Sequence, residues 1–458
     1  MDVSREYKGI FWIPGEEENT KNGILKFLNG IAYIDLFGSF DENPLTVPKN
    51  RRNKVDQIFA KLDNQNYCIF SNCKLHISNP FFLSSIINFK YVIYSSQKEL
   101  VTRQISIKKV RIKLDYLAQW VGFDAYEVFK GKETIEGIRR KEKEEIPVLY
   151  SNPDYRLKAN YSTTIPIINP DKDYLLKQDF FLQIEILNDI TIKKLFEFIF
   201  NVQDLLTLLI GDRVMLNNNF QLIDSLDKNY FCYHHDLRFT EGGKEKWNID
   251  SMLFSLKELS AISATQTLFE TWFSILDNYD YPLQLLMICL SSKSINPENK
   301  FINLMYALDV IQQKDPTAKL KETETISKKE ADLLEKLEKE FRVDKNTISA
   351  VKARFLKKKN PKLKDKFCEL LTPFSNMIQN IFGGDFNQFI ELIVNTRNFL
   401  AHESDSIPKL EYYQYNSYSL KLEAVVIMIF LTKLGVEIVD LEQKIKHHFR
   451  YKDIVVKG

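Results

Sequence analysis

The sequence contains no long apolar segment. Its longest uninterrupted apolar run, residues 424–431, is far shorter than the roughly 20 residues that a membrane-spanning helix requires. The first residues lack the apolar core of a secretory signal peptide. The five cysteines are odd in number and mostly scattered, which disfavours a disulfide framework. We therefore expect a cytoplasmic protein in a reducing environment, with no membrane contact.

Glycine and proline are also scarce, at 15 and 14 residues, which argues against the collagen-like and low-complexity classes. The formal net charge of +2 provides no global attraction to nucleic acid, so any such attraction must be local. The sequence has no Walker loop, no dinucleotide-binding fingerprint and no Gly-x-Ser-x-Gly elbow. It also has no detectable internal repeat.

The chain does contain enough apolar material for substantial cores. Hydrophobic residues make up 44% and aromatic residues 13% of its 458 residues, so it is not a disordered protein, and its length suggests two or three domains. The first part carries short β-branched and aromatic runs bounded by Gly, Pro and Asn, which predicts the strands of a sandwich or open barrel. The predicted strands are residues 8–13, 23–27, 31–37, 67–77, 89–94, 105–114, 148–150, 155–161, 179–187, 220–226 and 230–239. Residues 40–54 and 130–145 are predicted to be exposed loops or charged excursions.

The apolar spacing changes to a helical period first at residues 191–210 and then almost throughout the chain after residue 262. Thr267 and Ser327 each precede a glutamate by three residues, which predicts two capping boxes, and Asp385 is predicted to be an N-cap with Gln388 three positions later. Short connections between such helices are typical of a bundle. The predicted helices are residues 191–210, 267–290, 299–313, 327–341, 346–358, 363–382, 385–402 and 420–434.

The last but one of these helices carries the most informative pattern. Its apolar residues recur at the spacing of one helix face: Phe386, Phe389, Ile390, Ile393 and Leu400. Position 397 continues that face, yet the residue there is Arg397. A guanidinium keeps its proton in a protein, and burying one without a partner is costly. We therefore expect Arg397 to face a cleft or an interface that supplies anions.

Two further polar residues share this end of the helix. Asn398 and His402 stand at i and i+4, about 40° apart around a helix axis, so a cation, an amide and an imidazole gather where they could hold a phosphate. Helix rotation alone separates Arg397 and His402 by roughly 140°. They converge only if the arginine stem bends or the helix ends near Ala401. The alternative interpretation is structural: Arg397 pairs with a core carboxylate and His402 caps the helix C-terminus.

The arrangement of Arg397, Asn398 and His402 on a late helix resembles the HEPN superfamily of helical ribonucleases and toxins. There the signature is an arginine, a polar residue, three further positions and a histidine. Residues 9–15, 23–27 and 34–39 resemble the ApeA N-terminal domain, which precedes a HEPN domain in ApeA anti-phage defence proteins. The resemblance implies an α+β chain: a β-rich, sandwich-like or open-barrel-like sensing and regulatory module at residues 1–260, then an all-α HEPN helical bundle at residues 261–458.

The resemblance further implies an abortive-infection ribonuclease that cleaves RNA without a metal or other cofactor. His402 would act as acid or base, Arg397 would stabilise the charge on the phosphorus centre, and Asn398 would orient the imidazole or bind the phosphate. Asp309, in Ala-Leu-Asp, matches a helix that carries Ala-Leu-Glu in such domains, and a supporting role is carried over to it. The relatives dimerise around a shared cleft, so a homodimer is expected, as is a phage-derived trigger at the first module. The RNA is left open among transfer, messenger and ribosomal RNA.

Substrate contact is predicted for a local basic run between residues 352 and 366, which only Asp365 opposes. Such a run can neutralise phosphates, although lysine runs are more often solvated helix ends. Its members are Lys352, Arg354, Lys357, Lys358, Lys359, Lys362, Lys364 and Lys366, of which the first six are the predicted RNA-binding residues.

Two other functions and one other site stay open. A non-catalytic HEPN bundle could bind RNA or a partner protein, and the β-rich module could bind carbohydrate or another ligand above a helical oligomerisation domain. A zinc site could in principle be assembled from cysteines and histidines of the first module, but their spacing matches no common zinc knuckle. Those residues are Cys68, Cys73, His76, Cys232, His234 and His235.

Overall fold

A computed structural model gives the fold in two compact units, residues 1–273 and 274–458, called here the N-terminal and C-terminal units. The residues that the structure describes are 5–28, 31–40, 55–79, 84–103, 105–123, 126–130, 135–140, 148–163, 178–217, 219–234, 252–292, 295–315, 328–339, 341, 343–355, 362–402 and 409–455.

Six strands of the N-terminal unit close into a barrel. They are β1 (Tyr7–Trp12), β2 (Lys21–Leu28), β3 (Ile31–Phe37), β4 (Val55–Leu62), β5 (Tyr67–Asn79) and β6 (Ser84–Asn88). They pair in the closed order β1–β2–β3–β6–β5–β4–β1, and every pairing is antiparallel. Closure leaves these strands few free edges, and their inward side chains, including Phe11, Ile34 and Phe70, are fully buried.

Seven more strands extend the sheet beyond the barrel in the order β7–β15–β14–β8–β13–β12–β11. The connection is β5, whose residues 67–71 pair with β7 and whose residues 74–79 pair with β6. Between the two stretches lies Asn72, with a left-handed φ of 54° that asparagine tolerates better than most residues. These strands are β7 (Tyr91–Ser95), β8 (Ile107–Ile112), β11 (Val148–Ser151), β12 (Tyr155–Thr163), β13 (Gln178–Ile186), β14 (Asn219–Asp224) and β15 (Asn229–His234); β9 (Tyr126–Lys130) and β10 (Ile135–Arg140) form a separate pair.

One face of the extended sheet is covered by the helix α3 (Ile192–Ile210). Thr191 is its N-cap, and the Thr191 side chain accepts a hydrogen bond from the Lys194 backbone N–H. Phe196 of α3 contacts Tyr91 of β7 and Phe220 of β14, with ring centres 5.3 and 5.9 Å apart. The unit also contains α1 (Glu99–Thr102), α2 (Leu117–Val121) and α4 (Leu256–Ile262).

Two glycines permit the barrel strands to approach closely. Gly9 and Gly23 are directly paired in β1 and β2. A Cβ on Gly9 would lie 2.8 Å from the Lys61 carbonyl oxygen, and one on Gly23 would lie 2.9 Å from that of Asp35. Any larger residue at these positions would push neighbouring strands apart.

The C-terminal unit is helical. Its helices are α6 (Pro297–Lys314), α7 (Lys328–Lys339), α8 (Lys345–Phe355), α9 (Leu363–Leu371), α10 (Ser375–Phe382), α11 (Phe386–His402), α12 (Tyr415–Lys433) and α13 (Ile438–His447). The helix α5 (Thr265–Ser291) includes the residue at which the two units divide, and its backbone is non-helical at Tyr279. Pro282 explains that kink, because its ring clashes with the carbonyl of the residue four positions earlier.

The predicted fold class, a β-rich module followed by a helical bundle, is confirmed. Of the two alternatives predicted for residues 130–145, a loop is wrong for residues 135–140, because they form β10, which pairs with β9 in a separate two-stranded sheet. Residue 40 was also predicted to be exposed, yet Phe40 is buried; residues 41–54 lie outside the described part. Strands β4, β6 and β9 were not predicted.

Several helix predictions were wrong in detail. Thr267 does not open α5, which already begins at Thr265, whereas Ser255 and Glu258 form a capping box that opens α4. Residues 363–382 form two helices separated by a 3₁₀ turn at Thr372–Phe374, where Pro373 cannot donate a helical hydrogen bond. The helices α1, α2, α4 and α13 were not predicted, and Ser327 lies outside the described residues. Within the described part of the chain, no helix has the length and apolar character needed to cross a membrane.

Candidate active site

The helix α11 begins as its sequence predicts. The Asp385 carboxylate accepts a hydrogen bond of 2.9 Å from the backbone N–H of Gln388, which satisfies one of the unpaired donors of the first turn. The predicted apolar face is buried from the first turn onwards: Phe386, Phe389, Ile390 and Ile393 are each less than one-tenth exposed. This face fixes the rotation of α11 and therefore determines where its last turn presents its side chains.

The apolar spacing of α11 runs through position 397, but the buried face of the helix does not. The fully buried residue in that turn is Thr396, while Arg397 is partly exposed. The Thr396 hydroxyl donates to the Leu392 carbonyl at 2.8 Å and accepts from the Leu410 backbone N–H at 2.9 Å. Because both hydrogen bonds satisfy its hydroxyl, Thr396 can occupy the apolar face of α11. Arg397, the next residue, is therefore partly exposed and does not lie in that face.

The arginine stem bends toward Asn398. The Arg397 Nη1 donates to the Asn398 Oδ1 at 3.3 Å, so the amide oxygen faces the guanidinium and the amide N–H₂ faces away from it. The helix continues through His402, which is its last residue and is described by backbone alone. Arg397 and His402 could converge through a bent arginine stem or through a helix that ends near Ala401. The helix does not end there. The arginine instead reaches toward the residue that stands one helical turn before the histidine.

A second cation lies beside this turn. The Nζ of Lys409 is 3.2 Å from the centre of the Phe399 ring, a cation–π contact. Together with the bond from Leu410 to Thr396, this contact holds residues 409 and 410 against the last turns of α11. Sequence reasoning did not select Lys409, because its proximity arises from the chain's return to the helix and not from any local spacing.

The predicted supporting residue lies on another helix of the same unit. Asp309 is on α6, partly exposed, directly after the fully buried Ala307 and Leu308. The helix α9 packs against both α6 and α11. A supporting role for Asp309 stays a prediction.

The basic run is distributed over α8, the residues after it and the start of α9. Lys352 and Arg354 lie within α8, which the structure describes there by backbone alone, and Lys357, Lys358 and Lys359 lie outside the described residues. Lys362 is exposed immediately before α9. Lys364 is used differently, because its Nζ pairs with the Glu391 carboxylate of α11 at 2.6 Å and this hydrogen bond raises the lysine pKa. That ion pair joins the end of the basic run to the helix that carries Arg397.

A buried ionic cluster, which the sequence did not reveal, joins α6, α12 and the chain after α13. Glu423 is fully buried, and its carboxylate accepts hydrogen bonds from Lys300, Arg450 and Tyr451. Burial by itself raises the pKa of Glu423, but the charges of Arg450 and Lys300 outweigh burial and hold that pKa below its ordinary value. The carboxylate therefore has two cations and a hydroxyl as partners inside the unit, so we assign the cluster a structural role.

The cysteines considered for zinc are buried as free thiols. Cys68 and Cys73 lie on β5 and Cys232 lies on β15. Burial raises the pKa of all three, that of Cys73 to about 12, which disfavours the thiolates that zinc requires. The described residues contain no group of three or more His, Cys, Asp or Glu side chains placed to hold a metal. His76 is described by backbone alone, and His235 lies outside the described part.

Two protein-family models match the sequence. ApeA N-terminal domain 1 matches residues 6–267, and Apea-like HEPN matches residues 302–438. The second range contains Asp309 and the whole of α11, with Arg397, Asn398 and His402. No curated protein and no solved structure matches the chain.

Proposed function

The chain belongs to the ApeA family, with ApeA N-terminal domain 1 followed by an Apea-like HEPN domain, and we propose that it is an anti-phage ribonuclease that cleaves RNA at Arg397, Asn398 and His402. The observation that carries this proposal is the hydrogen bond from Arg397 to Asn398 at the end of α11. It directs a permanent cation toward the helix face that also bears His402. A phosphate is the ligand that such a set of donors fits best.

The proposed reaction is an attack by an RNA 2′-hydroxyl on the adjacent phosphodiester. One group must take the proton from the 2′-oxygen and another must supply a proton to the departing 5′-oxygen. An imidazole suits either step near neutral pH. The guanidinium of Arg397 holds two phosphate oxygens and stabilises the charge that develops on them in the transition state. The Asn398 amide N–H₂ donates to the phosphate or to the imidazole. No step in this scheme needs a metal ion.

A single imidazole cannot accept one proton and donate another at the same instant. We propose that two copies of the chain bring their His402 and Arg397 residues to one cleft on a two-fold axis, which is an isologous interface. The second imidazole then completes the acid–base pair. Gel filtration at catalytic concentration is expected to show an active dimer. An active monomer would contradict this part of the proposal.

The two modules are proposed to divide the work. The β-rich module, proposed at residues 1–260, senses a phage-derived trigger and restrains the nuclease, because an unrestrained ribonuclease would damage its own cell. The HEPN module, proposed at residues 261–458, cleaves the RNA. Transfer RNA is one proposed substrate, and the exposed Lys362 together with Lys352, Arg354, Lys357, Lys358 and Lys359 is proposed to bind its phosphates.

The proposal is tested with His402→Ala and a matched control, His447→Ala. His447 is an exposed histidine near the end of α13 in the same unit, and its ring contacts the carbonyl of Gln443. Cleavage of total RNA is expected to disappear in His402→Ala, to fall at least about 100-fold in Arg397→Ala, and to persist in His447→Ala. Equal cleavage by the two histidine variants would refute the catalytic assignment.

The second candidate function is a HEPN bundle that binds RNA or a protein without cleaving. The i, i+1 hydrogen bond between Arg397 and Asn398 is also compatible with a phosphate clamp that performs no chemistry. His402→Gln separates the two functions, because glutamine keeps a hydrogen-bonding side chain of similar reach but cannot transfer protons near neutral pH. A binding protein should tolerate this change, whereas the proposed nuclease should lose cleavage while it still retains bound RNA.

A further inference from the structure

The face of the extended sheet opposite α3 contains a broad depression of about 1040 Å³. The helix α3 packs against the opposite face, through contacts such as Phe196 to Phe220. Successive residues of a strand point to opposite faces, so Gln221, the neighbour of Phe220, belongs to the face opposite α3. The residues that line the depression all lie between residues 66 and 231, so none of them belongs to α11.

One cross-strand row forms the floor of the depression. The pairing registers place Arg111 of β8 opposite Gln221 of β14, Gln221 opposite Phe231 of β15, and Phe231 opposite Tyr94 of β7. Directly paired residues of an antiparallel sheet share a face, so these four side chains form a continuous row. Adjacent strands are about 4.8 Å apart, which puts Arg111 and Phe231 roughly 10 Å apart along the row. This is the span from the base of a nucleotide to its phosphates.

Aromatic rings at the depression are placed for stacking. Phe231 is 41% exposed although it lies in the middle of a strand, and its inner side stacks on the buried ring of Tyr94 at 5.6 Å and 25°. The Phe231 ring therefore rests against a buried aromatic neighbour while about two-fifths of the residue stays exposed. An exposed aromatic ring with a rigid support is how proteins stack bases on sheet surfaces.

Hydrogen-bonding groups surround that ring. Seven residues that line the depression carry carboxamides. Some of them form a network: Tyr94 donates to Asn219 at 3.0 Å, and Gln221 donates to Asn229 at 2.9 Å. Carboxamides both donate and accept, which matches the mixed donor and acceptor edges of a base.

The charge of the depression is positive. Arg111 lies with its guanidinium carbon 5.1 Å from the centre of the Phe181 ring, and it donates to Gln183 and Gln221, both neutral groups. Lys113 is the other cation, and it pairs with the nearby Asp179 at 3.2 Å. Among the residues described as lining the depression, none carries a carboxylate. A sugar-binding site normally uses carboxylates to accept hydroxyl protons, so this composition favours an anionic ligand with an aromatic ring.

We infer that this face binds a nucleotide unit, with its base stacked on Phe231, its edge hydrogen-bonded by the carboxamides and its phosphate at Arg111. The ligand is a free nucleotide or one unit of a single-stranded nucleic acid, since both present the same chemistry. A duplex does not fit, because its bases already stack on one another. The inference does not depend on RNA cleavage by the C-terminal unit.

The test uses the fluorescence of 2-aminopurine, which is quenched when the base stacks. Full-length protein is titrated into a 12-nucleotide single-stranded DNA that contains 2-aminopurine, and separately into 2-aminopurine ribonucleoside triphosphate. DNA lacks the 2′-hydroxyl, so the proposed nuclease cannot consume it. Saturable quenching of the triphosphate identifies a free nucleotide as a ligand. Quenching of the strand alone identifies single-stranded nucleic acid.

Three variants assign the quenching to the depression. Phe231→Leu keeps an apolar side chain but removes the ring, and is expected to weaken binding about ten-fold or more. The matched control is Phe37→Leu, at a 57% exposed strand phenylalanine of the barrel, which should bind as wild type does. Arg111→Gln should weaken binding. It should also lower the slope of log binding constant against log salt concentration by about one, the value of one phosphate contact.

The inference is overturned by any of three results. The first is no quenching of either probe by the wild-type protein. The second is equal quenching by Phe231→Leu and Phe37→Leu, with both variants melting at the wild-type temperature. The third is equal competition by a DNA duplex of the same length, because that result would indicate phosphate attraction without base stacking.

Discussion

The hydroxyl of Thr396 is predicted to hold the chain that follows the candidate active site against α11. Replacing Thr396 by valine keeps the volume and the branched shape of the side chain but removes its hydroxyl. The Leu392 carbonyl loses little, because it can still accept the ordinary helical hydrogen bond from the residue-396 N–H. The Leu410 N–H loses its acceptor in a buried position. A buried donor left unpaired costs about 1–3 kcal/mol.

The free energy of unfolding of the C-terminal unit should fall by that amount. For a unit spanning residues 274–458, a loss of about 2 kcal/mol corresponds to a fall in melting temperature of roughly 4–8 °C. Hydrogen–deuterium exchange gives the more local measurement. The amide of Leu410 should be protected in the wild type and should exchange faster in Thr396→Val.

Thr396→Ser provides the matched control. Serine retains a hydroxyl for Leu410 but lacks the methyl group of threonine. Loss of that methyl group lowers the free energy of unfolding by on the order of 1 kcal/mol, the transfer free energy of one buried carbon. We therefore expect protection of Leu410 to survive in the serine variant even where its melting temperature falls. If Thr396→Val preserves the protection of Leu410 while Thr396→Ser abolishes it, the hydroxyl does not hold this segment and the reasoning is refuted.

Three further predictions concern stability. Glu423→Gln should lower the free energy of unfolding by about 3–5 kcal/mol, because it removes the buried carboxylate that Lys300 and Arg450 share. Urea unfolding measures the loss, and wild-type stability in the variant would contradict it. Since the folded pKa of Glu423 is lowered, its contribution should be fully present above its ordinary value of 4.5 and should vanish as the pH falls through the folded pKa. The difference in free energy of unfolding between wild type and Glu423→Gln should therefore become smaller below pH 4.5. A difference that grows there would contradict the lowered pKa of Glu423. Gly9→Ala should destabilise the barrel by about 1–3 kcal/mol through overpacking against β4, and an unchanged midpoint in thermal unfolding would rule this out.

Local features of the fold could be predicted from the sequence because they depend on neighbouring residues. The strand at Ile31–Phe37 has the predicted bounds, and Asp385 caps α11 as its spacing to Gln388 indicates. The break at Thr372–Phe374 was equally local, and Pro373 should have revealed it. The strand β4 alternates buried and exposed positions, but its charged and amide residues concealed that pattern.

Long-range features could not be predicted in the same way. Closure of the barrel depends on β5 changing partners from β7 to β6 at Asn72, and no local pattern specifies that change. The contact of Lys300 with Glu423 likewise joins helices that are far apart in sequence.

At the candidate site, the sequence identified Arg397, Asn398 and His402 as a group, but its apolar spacing did not reveal that Thr396 is the buried residue of that turn. A threonine that pairs its own hydroxyl can replace a hydrophobe there, and periodicity counts only apolar residues. The bend of the arginine stem toward Asn398 depends on side-chain torsions that spacing does not determine.

The most direct test of the proposed nuclease is the chemistry of the RNA ends in cells that express the wild-type chain, His402→Ala or His447→Ala. Attack by a 2′-hydroxyl expels the 5′-oxygen, so each cut must leave a 5′-hydroxyl on one fragment and a cyclic phosphate on the other. Sequencing selective for 5′-hydroxyl ends should show discrete new cut sites with wild type and His447→Ala, and none with His402→Ala. New ends that carry 5′-phosphates, or that persist in His402→Ala, would contradict the account.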